Sequence, residues 1–160
     1  MLILAPYLKI TEELKVIRIR KATVQDIPRI LELYEELTEE KQTVSPETIG
    51  LVFTEILAMP NHELLTAEKD DYVVGSLLLQ IVPNLSHNAR PWGILENMIV
   101  DSRYRRQGIG RQLLEYALNS SRSAGCYKVQ LISDNRRYEA HIFYRSMGFE
   151  ESALGFRRYF

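Results

Sequence analysis

The segment whose residue types and spacing carry chemistry is Arg105-Arg106-Gln107-Gly108-Ile109-Gly110-Arg111, just after the apolar run 93–100. Gly108 and Gly110 have no Cβ, so a ligand can come close to the backbone. A helix starting there presents N–H groups with no internal partners, and its dipole adds partial positive charge. With Arg105, Arg106 and Arg111 alongside, the turn suits an anion, and phosphate or pyrophosphate above all. The P-loop pattern GxxxxGK[ST] fails, because the Lys-Ser or Lys-Thr pair is absent. The dinucleotide pattern GxGxxG is incomplete, and no βαβ unit carries an acidic residue ~20 positions on. What remains is a strand, then [RQ]xxGxG, then a helix.

The elements around this turn alternate between periods of two and 3.6, as in a mixed α/β or α+β domain. Residues 16–20 alternate apolar and basic and predict a strand. Thr23 with Asp26 three residues on makes a capping-box-like start for a helix whose apolar stripe is Ile27, Ile30, Leu31, Tyr34 and Leu37. Ser45 and Pro46 open a second helix that ends at Met59-Pro60-Asn61. Residues 63–69 and 72–81 read as a β-hairpin split by Lys69-Asp70-Asp71. A loop follows over 82–92, then a strand over 93–100. Residues 108–124 form the longest helix, closed by Gly125. Residues 127–132 read as a central strand, 138–147 as a helix closed by Gly148, and the tail 149–160 as one or two short strands. Residues 1–14 read as irregular or weakly helical.

The length of 160 residues and 46% hydrophobic content suit one domain. Twenty basic residues face 21 acidic ones, for a net charge of −1. That balance argues against bulk electrostatic binding to nucleic acid or an anionic membrane. The short cluster Arg103-Tyr104-Arg105-Arg106 is too small for a nucleic-acid face. No run approaches the ~18 apolar residues of a membrane span, and the start has no signal-peptide pattern. The lone Cys126 forms no internal disulfide and fits a reducing compartment. A cytoplasmic protein is the expectation.

A second motif, Ala140-His141-Ile142-Phe143-Tyr144-Arg145-Ser146-Met147-Gly148-Phe149, lies downstream of the glycine turn. In this order and at this separation the two match the R/QxxGxG/A and AxxFYxxxGF segments of one family. The chain resembles the GNAT superfamily of acyl-CoA-dependent N-acetyltransferases over residues 16–160. The resemblance implies an α/β (α+β) fold, a mixed, mostly antiparallel twisted sheet with helices on both faces. It implies one N-acetyltransferase domain over 1–160, with 1–14 an irregular extension. Acetyl-CoA would be the acyl donor. The backbones of Met98, Ile99 and Val100 would pair with its pantetheine arm, in a slot splayed open between strands 93–100 and 127–132. The amides of Gln107, Gly108, Ile109, Gly110 and Arg111, ringed by Arg105 and Arg106, would hold the pyrophosphate. Phe143 would pack on the coenzyme, Tyr144 would act as general acid, and Glu96 stands where many members keep a base. Where many members carry an Asn, this chain has Arg137, so three readings stay open: the pantetheine contact moves to Asn135, it is absent, or Arg137 reaches a coenzyme phosphate.

The chemistry itself sets demands. An attacking amine must be neutral, yet a free alkylamine has a pKa near ~10, so a base must take its proton. The departing thiolate wants a donor, which a tyrosine hydroxyl supplies, and the oxyanion wants an N–H, here from strand 96–100. Cys126 follows a helix-ending glycine and has no evident activating partner, so direct transfer is expected rather than an acyl-enzyme. The three histidines and one cysteine lack metal-ligand spacing, so no metal is expected. Asp101 reads as a strand-end turn residue and His141 as a packing or surface group. The run from Glu35 to Glu40 reads as a solvated helix end or an acidic rim that attracts a cationic amine. The 82–92 loop, with Arg90, reads as an acceptor-lining or dimer contact. The expected activity is acetyl transfer from acetyl-CoA to a small-molecule primary amine, with a homodimer common among similar proteins. The alternatives are a protein lysine or N-terminal acetyltransferase, and a non-catalytic acyl-CoA-binding regulatory module.

Overall fold

The computed structural model describes residues 16–41 and 43–160. Five strands form one sheet in the order β1-β2-β3-β4-β5, with β1 (Arg18–Lys21), β2 (His62–Lys69), β3 (Tyr72–Val82), β4 (Trp92–Val100) and β5 (Val129–Leu131). The first four pair antiparallel, while β4 and β5 pair parallel. The β2–β3 hairpin turns on Asp70 and Asp71, both at positive φ (52° and 60°). That is the backbone a two-residue turn needs to match strand twist. A parallel β4–β5 pair needs a crossover, which α4 (Ile109–Ser123) supplies.

Helices cover both faces. On one face α1 (Ile27–Thr38) and α2 (Pro46–Ala58) bury Ile30 and Phe53 against Leu64 and Leu78. On the other, α4 buries Ile109, Leu113, Leu114 and Ala117 against Leu65, Leu77, Leu79 and Leu95, with α5 (Tyr138–Ser146) packed beside it. Leu64/Leu65 and Leu78/Leu79 divide between the two faces, as period-two alternation requires. Each fully buried leucine contributes roughly 1.5–3 kcal/mol.

The local signals act as expected. The Thr23 amide (2.7 Å) and hydroxyl (2.9 Å) both donate to Asp26, and Ser45 caps α2 by accepting from the Thr48 amide at 3.3 Å. A short 3-10 turn, Val24–Asp26, precedes α1. Gly125 and Gly148 close their helices at φ +77° and +85°.

Two expectations are corrected. The strand read over 127–132 as central is three residues long and pairs only with β4; the central, continuously buried strand is β3. Its apolar residues serve helix packing on one face, which period alone does not separate from burial on both. The tail 149–160 forms no strand, and residues 150–160 are all exposed.

Candidate active site

The site begins at a fault in β4. Ser76 pairs with Ile99 and Leu78 with Glu96, so two residues, Asn97 and Met98, stand opposite Leu77 alone. This is a β-bulge, and Asn97 takes a left-handed backbone (φ 52°), which asparagine tolerates better than most residues. The extra residue resets the alternation. Glu96 lies on the α1/α2 face with its partner Leu78, and Ile99 lies on that face too, buried with Leu33 and Val73. Met98 and Val100 pack toward the α4 side.

The same strand parts from β5. Their ladder covers only Gly93–Leu95 against Val129–Leu131, so β4 runs on through Val100 without that partner. The Asp101 amide donates to the Val74 carbonyl at 2.9 Å, so Ile99 also turns its backbone toward β3, while Met98 and Val100 face the opened side. Of the three residues expected to meet a pantetheine arm, Ile99 is therefore turned away, and its side chain is only 4% exposed. The Val100 carbonyl already accepts from Arg105 Nε at 2.9 Å.

The glycine turn is braced from below. Asp101, 2% exposed, ends β4 and caps a 3-10 turn (Ser102–Tyr104). It accepts from the Arg103 amide (2.9 Å), from the Arg103 guanidinium (2.7 and 3.1 Å) and from Arg29 of α1. Hydrogen bonding from Arg103 holds its carboxyl down to about 2, against the opposing effect of burial; Arg29 adds to the lowering. Arg105 Nη2 meets Glu36 at 2.6 Å, and Glu36 also accepts from the Ser102 amide at 3.1 Å. Arg105, expected beside a phosphate, ties the loop to α1 through this contact. Glu36, expected on a solvated or acidic rim, is its tether. Gln107 is held by Lys69, a contact the sequence did not suggest.

Gly108 caps α4 at φ +79° and brings no side-chain cap, which leaves the amides at the head of the helix without intrahelical partners. Arg106 and Arg111 flank it; Arg111 stands 3.6 Å from Glu115 on the exposed helix face. A Cβ at Gly110 would lie 3.6 Å from both Met98 and Phe143, an ordinary contact that places Phe143 against the start of α4.

A cavity of about 220 Å³ opens at the bulge. Glu96, Asn97 and Met98 line it from β4, Tyr144 from α5, and Arg137 and Arg157 from the segments on either side of α5. Glu96 and Tyr144 thus meet here, although their side chains start on opposite faces of the sheet. Burial pushes the Tyr144 phenol above its usual value; Arg137 opposes this and Glu96 adds to it. A phenol so held keeps its proton near neutral pH and can donate it. Asn135 is exposed and does not line this cavity, whereas Arg137 does. A second, apolar cavity of about 320 Å³ between α1, α2 and the sheet shares Asn97 with the first. At its base burial raises the Tyr34 phenol against the opposing effect of Ser76 and Asn97.

Other residues take structural places. His141 Nε2 contacts the Asp134 carbonyl at 2.9 Å within the α5 turn. Burial pushes the half-buried Cys126 thiol up, away from thiolate chemistry. In the 82–92 loop, Ser86–Ala89 forms a short turn, α3, with His87, Asn88 and Ala89 at positive φ. His87 stacks on Tyr127 at 4.0 Å, and Arg90 donates to the carbonyls of Gly125 (3.3 Å) and Cys126 (3.0 Å). The Arg90 contacts tie the loop to the end of α4. Among the described residues no group of three or more His, Cys, Asp or Glu is placed to hold a metal ion. No described helix is long and apolar enough to cross a membrane.

The site thus combines a bulge, parted strands and a glycine-capped helix, and comparison with known proteins identifies the family it belongs to. The chain belongs to the acetyltransferase (GNAT) family, whose sequence model matches residues 27–149. It is 30% identical over 138 residues to glucosamine 6-phosphate N-acetyltransferase of Trypanosoma brucei brucei, covering 83% of this chain and 88% of that one. It is also 30% identical to aminoalkylphosphonate N-acetyltransferase of Salmonella typhimurium, covering 89% and 91%. The crystal structure of glucosamine-6-phosphate N-acetyltransferase from Arabidopsis thaliana superposes with a TM-score of 0.81 at 26% identity, over 91% of this chain and 99% of that one.

Proposed function

We propose that this chain transfers an acetyl group from acetyl-CoA to the primary amine of a small molecule, by direct attack. The observation that carries the reading is the cavity at the β4 bulge, which Glu96 and Tyr144 share. Glu96 takes the ammonium proton, directly or through water, so that the nitrogen lone pair is free. The nitrogen attacks the thioester carbonyl carbon, and a backbone N–H of β4 stabilises the oxyanion. The carbon–sulfur bond then breaks, Tyr144 gives its proton to the departing thiolate, and the tyrosinate takes up the second proton that the nitrogen sheds to become the amide. The head of α4, with Arg106 and Arg111, binds the coenzyme's diphosphate, and Met98 and Val100 meet its pantetheine arm. The proton transfers fall to protein side chains, so the reaction as drawn needs no metal.

A small-molecule acceptor is supported by the relatives, whose names specify glucosamine 6-phosphate and aminoalkylphosphonate. We read the chain as one domain, with residues 1–14 outside the described part. The exposed Leu154, Phe156, Tyr159 and Phe160 support a homodimer, and the lone Cys126 supports a cytoplasmic location. Nucleic acid and membrane are not expected partners of a chain with net charge −1.

The test is thiol release from acetyl-CoA across an amine panel, alongside calorimetry with coenzyme A. Turnover of at least one amine, with saturable coenzyme binding, is expected. Coenzyme binding with no turnover of any amine would favour a non-catalytic module, and no binding at all would end the reading.

A further inference from the structure

We propose that the acceptor amine carries a phosphate or phosphonate group, and that Arg137 and Arg157 bind that group in the cavity where Glu96 receives the amine. This rests on the transferase reading above and narrows it to a substrate class.

The argument starts from pairing. Arg20, Arg29, Arg103, Arg105, Arg136 and Arg145 each form an ion pair with an acidic side chain. Arg137 and Arg157 both line the Glu96–Tyr144 cavity, and neither forms a salt bridge among the described residues, although the charge of Arg157 reaches Asp134 and helps lower its carboxyl. The acid nearest at hand, Asp134, shares the wall but is held by Arg136, through its amide at 2.9 Å and its guanidinium at 3.0 and 3.2 Å. The cavity wall thus carries two arginines against two carboxylates, of which Asp134 is already held by hydrogen bonds from Arg136 and Glu96 is not.

That arrangement complements a ligand with a cationic end and a doubly charged anionic end. Guanidinium groups match phosphate and phosphonate oxygens in two-point hydrogen bonds, which makes two arginines a fit for a dianion. The charge of Arg137 also works against the protonated state of Tyr144. An oxyanion seated on Arg137 offsets that charge, so the phenol holds its proton more firmly while the substrate is bound.

The experiment compares matched amines with acetyl-CoA as donor: 2-aminoethylphosphonate against propylamine, and glucosamine 6-phosphate against glucosamine. It is run on the full chain and on Arg137→Gln, Arg157→Gln and Arg157→Lys. The wild type is expected to favour the anionic member of at least one pair by roughly 10- to 100-fold in kcat/KM. Each Gln variant should lower that ratio by roughly tenfold through the KM of the amine, with Arg157→Lys keeping part of it. Equal or better turnover of the neutral members by the wild type overturns the proposal and leaves the transferase reading intact. Gln variants that slow both members alike also overturn it. A fall in coenzyme A affinity by calorimetry in Arg137→Gln, with the ratio unchanged, assigns that arginine to the coenzyme and overturns its role here. Absence of turnover with every amine overturns the transferase reading as well.

Discussion

Glu96 and Tyr144 line one cavity from opposite sides of the sheet: Glu96 belongs to the α1/α2 face beside Leu78, and Tyr144 packs with the α4-side core. The parting of β4 from β5 makes this possible, because the sheet is open where the two side chains meet. Tyr144→Phe deletes only the hydroxyl, and Glu96→Gln only the charge. Each is expected to lower kcat by roughly 100-fold while the KM for acetyl-CoA moves little. Steady-state thiol release checks this, and values within twofold of wild type would place the reaction elsewhere.

Asn97 follows Glu96 directly at the bulge. Its left-handed backbone is strained for a β-branched residue, so Asn97→Val should cost about 1–2 kcal/mol in urea unfolding and depress kcat further by shifting Glu96. Asn97→Gly relieves the strain and should keep the fold and most activity. A Val variant as stable as wild type would mean that the bulge is not held by this residue.

The two glycines of the turn differ in their need. Gly108 sits at φ +79°, so Gly108→Ala should lose about 1 kcal/mol of stability and weaken coenzyme A binding in calorimetry. Gly110 leaves room for a methyl at 3.6 Å, so Gly110→Ala should fold normally. Equal melting temperatures for Gly108→Ala and wild type would contradict the first expectation.

Acid stability should depend on Asp101. Its carboxyl is lowered from 3.8 to about 2 in the fold, so its contribution is fully present above about pH 4 and is lost as pH falls toward about 2. Asp26, lowered by Arg20 above all, acts in the same sense. Asp101→Asn leaves Arg29 and Arg103 without this partner, and should cost roughly 3 kcal/mol at pH 7 while flattening the stability profile between pH 4 and 2. Guanidinium unfolding across that range measures both effects, and an unchanged acid limb in the variant would exclude this group as its source.

Much of this was legible in the sequence because it is local. The capping pair Thr23 and Asp26, the Asp70-Asp71 turn and the glycine at 108 each dictate backbone within a few residues. The bulge at Asn97 had one readable signal, an asparagine inside an apolar strand, where asparagine is depleted. Arg137 stood out as a departure from the family pattern, but its place in the cavity did not. The pairing of Arg105 with Glu36, 69 residues apart, and of Asp101 with Arg29, 72 apart, had no sequence signal. Charged side chains on the surface of amphipathic elements look alike until packing brings particular ones together.

By itself the order of residues determined the family, through its two motifs, and the succession of strands and helices and the glycine turn, since these rest on periodicity, capping and backbone freedom over short spans. The tertiary structure alone decided that β5 is an edge strand, that the backbone of Ile99 turns toward β3 while those of Met98 and Val100 face the side where β4 and β5 part, and that Arg137 and Arg157 share a cavity with Glu96 and Tyr144. Those outcomes depend on register between distant strands, where one inserted residue moves every following side chain to the other face.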